Sequence, residues 1–399
     1  MAESKAVRIS REYREQLVRN EDAALKRMSS YWAKMERETR DNMLLLAQEV
    51  TELKKAGQPV PVQYIYTMQR HMKMMEQLVE LVPQYEYKAL EEIERTQRLN
   101  YTLGLESANA IIQASDPSDD MWTRIRQDAA EAMAGYAGNG APLAERLQTD
   151  YGAMASRITD ALVSGIGLGK GYKQVSQDMM DAAAIDFRRS VLIARTETNR
   201  AYRQANADQY RKSGVVEKVL RLCAMSNSCA ACIIMDGWEC KNGICEDHPN
   251  GKCTTVVVTT GGIMPEWEHG ADWLAKQDEA TQREILGDGR YDLWKNYNIP
   301  LDQLVTMKEN PVWGGSPSMV SIADLKAKYN IVPTKTISIA PPAPPVPAPA
   351  PSGRRRASPL PTAAACPFWR RTIWSSRRRM SAASSTGIIP SSRTNCILD

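Results

Sequence analysis

The chain has 399 residues, enough for two or three domains that each bury a core. Hydrophobic residues make up 43% and charged residues 25%, the balance of a globular protein, and no run approaches the length of a membrane span. The formal charge of +4 misleads, because residues 353–399 hold nine Arg and a single acid; residues 1–352 carry 42 basic against 46 acidic residues and offer no global basic face for nucleic acid.

In chain order, the first predicted element is one long helix over 10–56. Val18, Leu25, Met28, Trp32, Met35, Thr39, Met43, Leu46, Val50 and Leu53 recur at steps of three and four, and Gly57-Gln-Pro-Val-Pro61 ends the pattern. A second stripe runs through Ile65, Met68, Met72, Met75, Val79, Val82, Ala89 and Ile93, with Pro83 expected to kink or break its helix near Leu81. The two make a helical hairpin over 1–112, and its Met68, Met72, Met74 and Met75 cluster is a candidate contact for a partner. With two Phe against 19 Met, the core reads as helix on helix.

Asp116-Pro-Ser-Asp-Asp120 reads as a turn opening a helical region over 116–214. The break at Gly165-Ile-Gly-Leu-Gly-Lys-Gly171 is a poor phosphate loop, since Lys170 precedes Gly171 rather than Ser or Thr and a helix precedes the glycines. A helix-to-helix turn is the reading. Beyond Gly214 the period becomes that of strands at 216–223 and 253–260, within a module spanning 215–262. Short helices are predicted over 263–332 (271–275, 280–286, 301–305 and 322–329). A polyproline linker (333–352) and an Arg/Ser-rich tail (353–399) follow. The tail reads either as disordered or as a slipped frame, and its abruptness favours the second.

Six of the eight cysteines lie between Cys223 and Cys253. The first residues lack the apolar stretch of a secretory signal, so metal binding is expected ahead of disulfides. Cys229-Ala-Ala-Cys232 turns two thiolates toward one ion, and His248 with Cys253 supplies a second pair. Four such ligands and no spare carboxylate fit a closed, structural zinc site. Cys223, Cys240 and Cys245 read first as buried thiols, with a second site involving Cys240 and Cys245 the alternative. Three histidines in the whole chain argue against a His-rich metal nuclease, and His248 is better used as a ligand than as a partner for a nucleophilic cysteine.

Ile193-Ala-Arg-Thr-Glu-Thr198 on a helix, a strand near Val219, Cys-x-x-Cys, Asp236-Gly237, His248-Pro-Asn and a closing Cys before a β-branched strand resemble the phage head morphogenesis family, the Mu F-like minor head proteins. The resemblance covers about residues 120–310, including Trp273-Leu, Gln282, Ile285-Leu-Gly287 and Arg290-Tyr-Asp-Leu-Trp294. The family closes with His-Pro-Asn-Cys-Arg-Cys, whereas Gly251 and Lys252 precede Cys253 here, leaving Cys253 as the fourth ligand. The resemblance implies a non-enzymatic capsid protein associated with the portal inside the virion head, assembled in the host cytoplasm and active in capsid assembly, DNA packaging or delivery. Scaffold, major capsid protein and packaged DNA are further expected partners, and a membrane is not. Arg195 and Glu197 are expected to fix their helix against the zinc module rather than to catalyse.

The expectation is a mainly α protein with a zinc-clipped β-hairpin. Two other classes stay open: a carrier of an enzyme or toxin domain beyond the linker, and a zinc DNA-binding protein. The flanks of the knuckle weigh against the latter, with Lys218, Arg221, Lys241 and Lys252 facing Glu217, Asp236, Glu239, Glu246 and Asp247.

Overall fold

A computed structural model describes residues 3–115, 122–125, 127–149, 151–226 and 228–331. The expected turn at 116–120, the polyproline run and the Arg/Ser-rich tail lie outside them.

Helix α1 (Lys5–Lys55) starts at Ser4, whose Oγ accepts from Val7 N, and ends with Lys54 and Lys55 against the negative end of the helix dipole. Its buried face includes Leu17, Glu21, Leu25, Met28, Trp32, Met35, Thr39, Met43, Leu46 and Val50; Val18 and Leu53 lie at the rim. A short α2 (Val62–Thr67) and the long α3 (Gln69–Ser115) complete the hairpin.

Two details of α3 differ from the sequence reading. Its inward face is His71, Met74, Leu78, Val82, Tyr85, Ala89 and Ile93, whereas Met72 and Val79 are 47% and 56% exposed. Pro83 does not break the helix; the interruption falls at Met68, whose ψ of 131° is extended. Pro83 and Val79 both face solvent, so water can satisfy the Val79 carbonyl that proline leaves without a donor.

Helices α4 (Leu143–Leu147) and α5 (Tyr151–Gly167) lead to α6 (Tyr172–Ser213), which packs on α1, α3 and α5. Gly169, at φ 73°, makes the α5–α6 turn, and Lys170 pairs with Asp178 at 2.7 Å instead of standing free for a phosphate. One residue from each long helix builds the aromatic centre. Trp32 meets Tyr85 edge-on at 5.1 Å and stacks on Phe187 at 5.3 Å. Gly104 lets α3 approach α6 closely, since a Cβ there would fall 2.5 Å from Tyr202 O.

Strand β1 (Val216–Leu222) pairs antiparallel with β2 (Thr254–Thr259), from Val216↔Thr259 to Leu222↔Thr254, and β2 is buried throughout. Between them lies α7 (Ala230–Ile234). Then come α8 (Gly270–Ala275), α9 (Glu279–Leu286) and α10 (Asp288–Asn296). The expected helix at 301–305 is a 3-10 turn, Leu301–Leu304, leading into a hairpin the sequence reading missed: β3 (Val305–Asn310) and β4 (Gly314–Met319). β3 is exposed after Val305, so it lacks the alternation that marks a half-buried strand. The chain divides into Met1–Leu325 and a second unit from Lys326 on, with α11 (Ile322–Lys328) spanning the division. The described part of the second unit closes with Ile331 N donating to Lys326 O at 2.8 Å.

Candidate metal centre

The register of β1 and β2 builds the site. Leu222 opposes Thr254, so Cys223 and Cys253 sit just past that pair, at the same end of the ribbon. Cys229 is the N-cap residue of α7 and Cys232 lies within its single turn. Donors follow one another through side-chain contacts: Cys223 with Cys253, Cys253 with Cys232, Cys232 with Cys229. Cys229 Sγ lies 3.4 Å from His248 Nε2. Two triads have donor atoms all within 4.8 Å of one another, Cys229–Cys232–His248 and Cys232–Asp247–Cys253. The four sequence-predicted residues thus divide between two triads that share Cys232.

Electrostatics alternate along this string. Contact with Cys232, followed by His248, lowers the Cys229 thiol to about 4 despite burial. Hydrogen bonds from Cys223 and Cys232, then the Arg221 charge, hold Cys253 well below the usual thiol range. Cys232 is raised by the thiolates of Cys229 and Cys253 and by burial, and Cys223 is raised by Cys253 and burial. Burial works against the charged form of His248, yet Cys229 and Asp247 raise it to about 10. Adjacent buried thiols cannot all ionise unless a cation compensates them. His248 Nδ1 lies 2.8 Å from Pro249 O, which leaves Nε2, the nitrogen beside Cys229, as the one a metal would take by displacing its proton. The donor set therefore fits a thiophilic divalent ion such as zinc.

Asp247 organises the site, and the sequence reading passed it over. Its side chain is fully buried; Oδ1 accepts from His248 N at 3.0 Å and Oδ2 from Cys253 N at 3.2 Å. Arg221 and Arg203 approach its two oxygens at 3.5 and 3.8 Å, and Arg221 also donates to Glu246 O. Burial, then Cys253, raises the carboxyl, while the two arginines oppose that rise. Asp236 plays a similar part on the other side, accepting from Cys223 N at 2.6 Å, Trp267 Nε1 at 2.9 Å and Gly270 N at 3.0 Å. The adjacency of Asp247 to His248 was the available signal; Arg203 and Arg221 are distant in sequence and gave none.

Cys223 belongs to this string rather than standing apart, and Cys240 and Cys245 are joined to each other as a disulfide. The reading as buried thiols holds for Cys223, which is free and buried, and is corrected for Cys240 and Cys245. The Cys240–Cys245 loop lies along the outer edge of β1, where Cys240 N donates to Val219 O at 2.8 Å.

Contacts from α6 to the 247–253 loop come from Thr196, Asn199 and Arg203. Asn250 N donates to Thr196 Oγ1 at 3.3 Å, while Asn199 and Arg203 donate to Gly251 O at 3.4 and 3.3 Å. Arg195 instead pairs with Glu21 on α1 at 3.0 Å. Glu197 faces away from the loop, accepting from Arg146 Nη1 at 2.8 Å and Gly138 N at 3.0 Å. Arg146 in turn donates to Val312 O at 2.7 Å and Arg200 to Trp313 O at 2.8 Å, fastening the tip of the β3–β4 hairpin.

Residues 156–255 match the model of the family described as Phage Mu protein F like protein. This segment of the chain is similar to the Phage Mu F-like family. The matched segment runs from α5 through α6, β1 and α7 to the start of β2, and it contains Cys223 and every residue of the two triads. It is narrower than the 120–310 of the sequence resemblance and leaves the N-terminal hairpin outside. Neither the curated proteins nor the solved structures compared with the chain gave a match. Among the described residues, no helix is long and apolar enough to cross a membrane.

Proposed function

We propose that this chain is a minor head protein of a phage, non-enzymatic, acting in capsid assembly and in DNA packaging or delivery through contact with the portal. The match of residues 156–255 to the Mu F-like family is the observation that carries the reading. In this proposal Cys229, Cys232, His248 and Cys253 hold one structural zinc. When bound, zinc supplies a cross-link between α7, the 248–253 loop and the start of β2, a segment with too little regular structure to hold itself. Binding of roughly 10–16 kcal/mol, typical of structural zinc in small peptides, then contributes directly to folding. The burial of Cys232 and Cys253 supports a structural rather than a catalytic ion, since a catalytic site keeps one position open to water.

The helical hairpin of α1 and α3 is the proposed docking element. Mass spectrometry of purified heads tests the location: the chain is expected in the head with the portal, and heads that lack it contradict the reading. Portal capture tests the docking. Deleting residues 1–112 is expected to abolish it, and capture that survives the deletion excludes the hairpin.

A further inference from the structure

Helix α1 straddles two cores. From Leu25 onward its buried residues join Tyr85, Ala89 and Phe187 in the helical core, whereas Val7 packs with Leu220, Leu222, Val256, Val258 and Trp267 on the β ribbon. Polar contacts divide at the same place. Ser10 Oγ donates to Thr255 O at 2.8 Å, and Arg14 Nη1 donates to Cys223 O at 3.3 Å. At the boundary stands Glu21, a carboxylate 2% exposed. Its Oε1 lies 3.0 Å from Arg195 Nε and 3.5 Å from Lys252 Nζ, and its Oε2 accepts from Asn199 Nδ2 at 3.2 Å.

Lys252 sits between Gly251 and Cys253 in the metal loop, and Asn199 also holds the Gly251 carbonyl. The buried Glu21 charge is therefore compensated partly by a loop whose own conformation depends on its donors. We propose that the metal loop is a clamp on residues 5–21 of α1, so that losing the metal frees this segment while the hairpin beyond Leu25 stays folded. Removing Lys252 and the ordered Gly251 carbonyl leaves Glu21 with Arg195 and a reoriented Asn199. An undercompensated buried carboxylate is costly enough to favour local opening. At 1.5 Å per residue the 51-residue α1 is about 75 Å long, which places this release far from the distal end of the hairpin. The inference rests on the structural-zinc reading above.

Hydrogen exchange on the full chain, with zinc content measured in parallel, tests it. Chelation is expected to speed exchange about tenfold in peptides covering 5–21 and to leave 43–55 and 74–93 unchanged. Glu21→Gln is expected to speed exchange in 5–21 with zinc still bound, which separates the clamp from the metal. Wild-type protein that holds no zinc overturns the metal reading and the proposal with it. Zinc-loaded protein in which 5–21 responds to neither treatment, or in which chelation opens the whole chain equally, overturns the clamp alone.

Discussion

Gly251 lies directly against the buried carboxylate of Asp247, so close that a Cβ on Gly251 would overlap the Asp247 Cγ and both carboxylate oxygens. This contact lets the 247–253 loop fold back and place His248 N and Cys253 N on the same carboxylate. Glycine therefore answers a steric demand here. Gly251→Ala is expected to destabilise the protein by about 1–3 kcal/mol, as overpacking does, and to weaken metal retention. Denaturant titration with metal analysis checks both.

The pair of Glu197 and Arg146, with side chains 1% and 11% exposed, is a second buried charge system. Glu197→Ala leaves Arg146 Nη1 and Gly138 N without their acceptor and is expected to cost roughly 3–5 kcal/mol. Glu197→Gln, which keeps an oxygen for Gly138 N, is expected to cost less. Urea unfolding of both variants checks the order.

The two faces of α3 give opposite expectations. Met74→Ala and Leu78→Ala are expected to cost about 2–5 kcal/mol each, because both side chains are fully buried. Met72→Ala and Val79→Ala are expected to stay within about 0.5 kcal/mol. Thermal melts of the four variants decide which face is the core. Portal capture by the Met72 and Val79 variants then reads whether the outer face docks a partner.

Tyr202 is buried on α6 with its hydroxyl 2.7 Å from Ser107 Oγ, and burial, which disfavours the phenolate, pushes that hydroxyl up from 10.0 to about 12. The folded value is raised, so its contribution is complete below pH 10 and is lost as pH rises through about 12. Stability is expected to fall across that window, with a smaller fall in Tyr202→Phe. Chemical denaturation from pH 9 to 11.5 measures the slope.

Much of the helical layer was legible because α1 carries one uninterrupted stripe, and a 3.6-residue period has one good solution there. On α3 the apolar Met72 and Val79 sit opposite Met74 and Leu78, so hydrophobicity alone did not choose the phase. The exposed β3 and the Gly- and Ser-rich β4 carried no strand signal at all. Within the metal centre, Cys229-x-x-Cys232 and His248 announced themselves by local spacing. Cys223 enters only through the strand register, and Arg203 and Arg221 only through tertiary packing around Asp247.

Metal analysis of the reduced, full-length protein, with thiol titration in parallel, tests the central claim most directly. One zinc per chain is predicted, lost in Cys232→Ser together with much of the protein's stability. Protein that carries no zinc and presents all its thiols to the titrant contradicts the account.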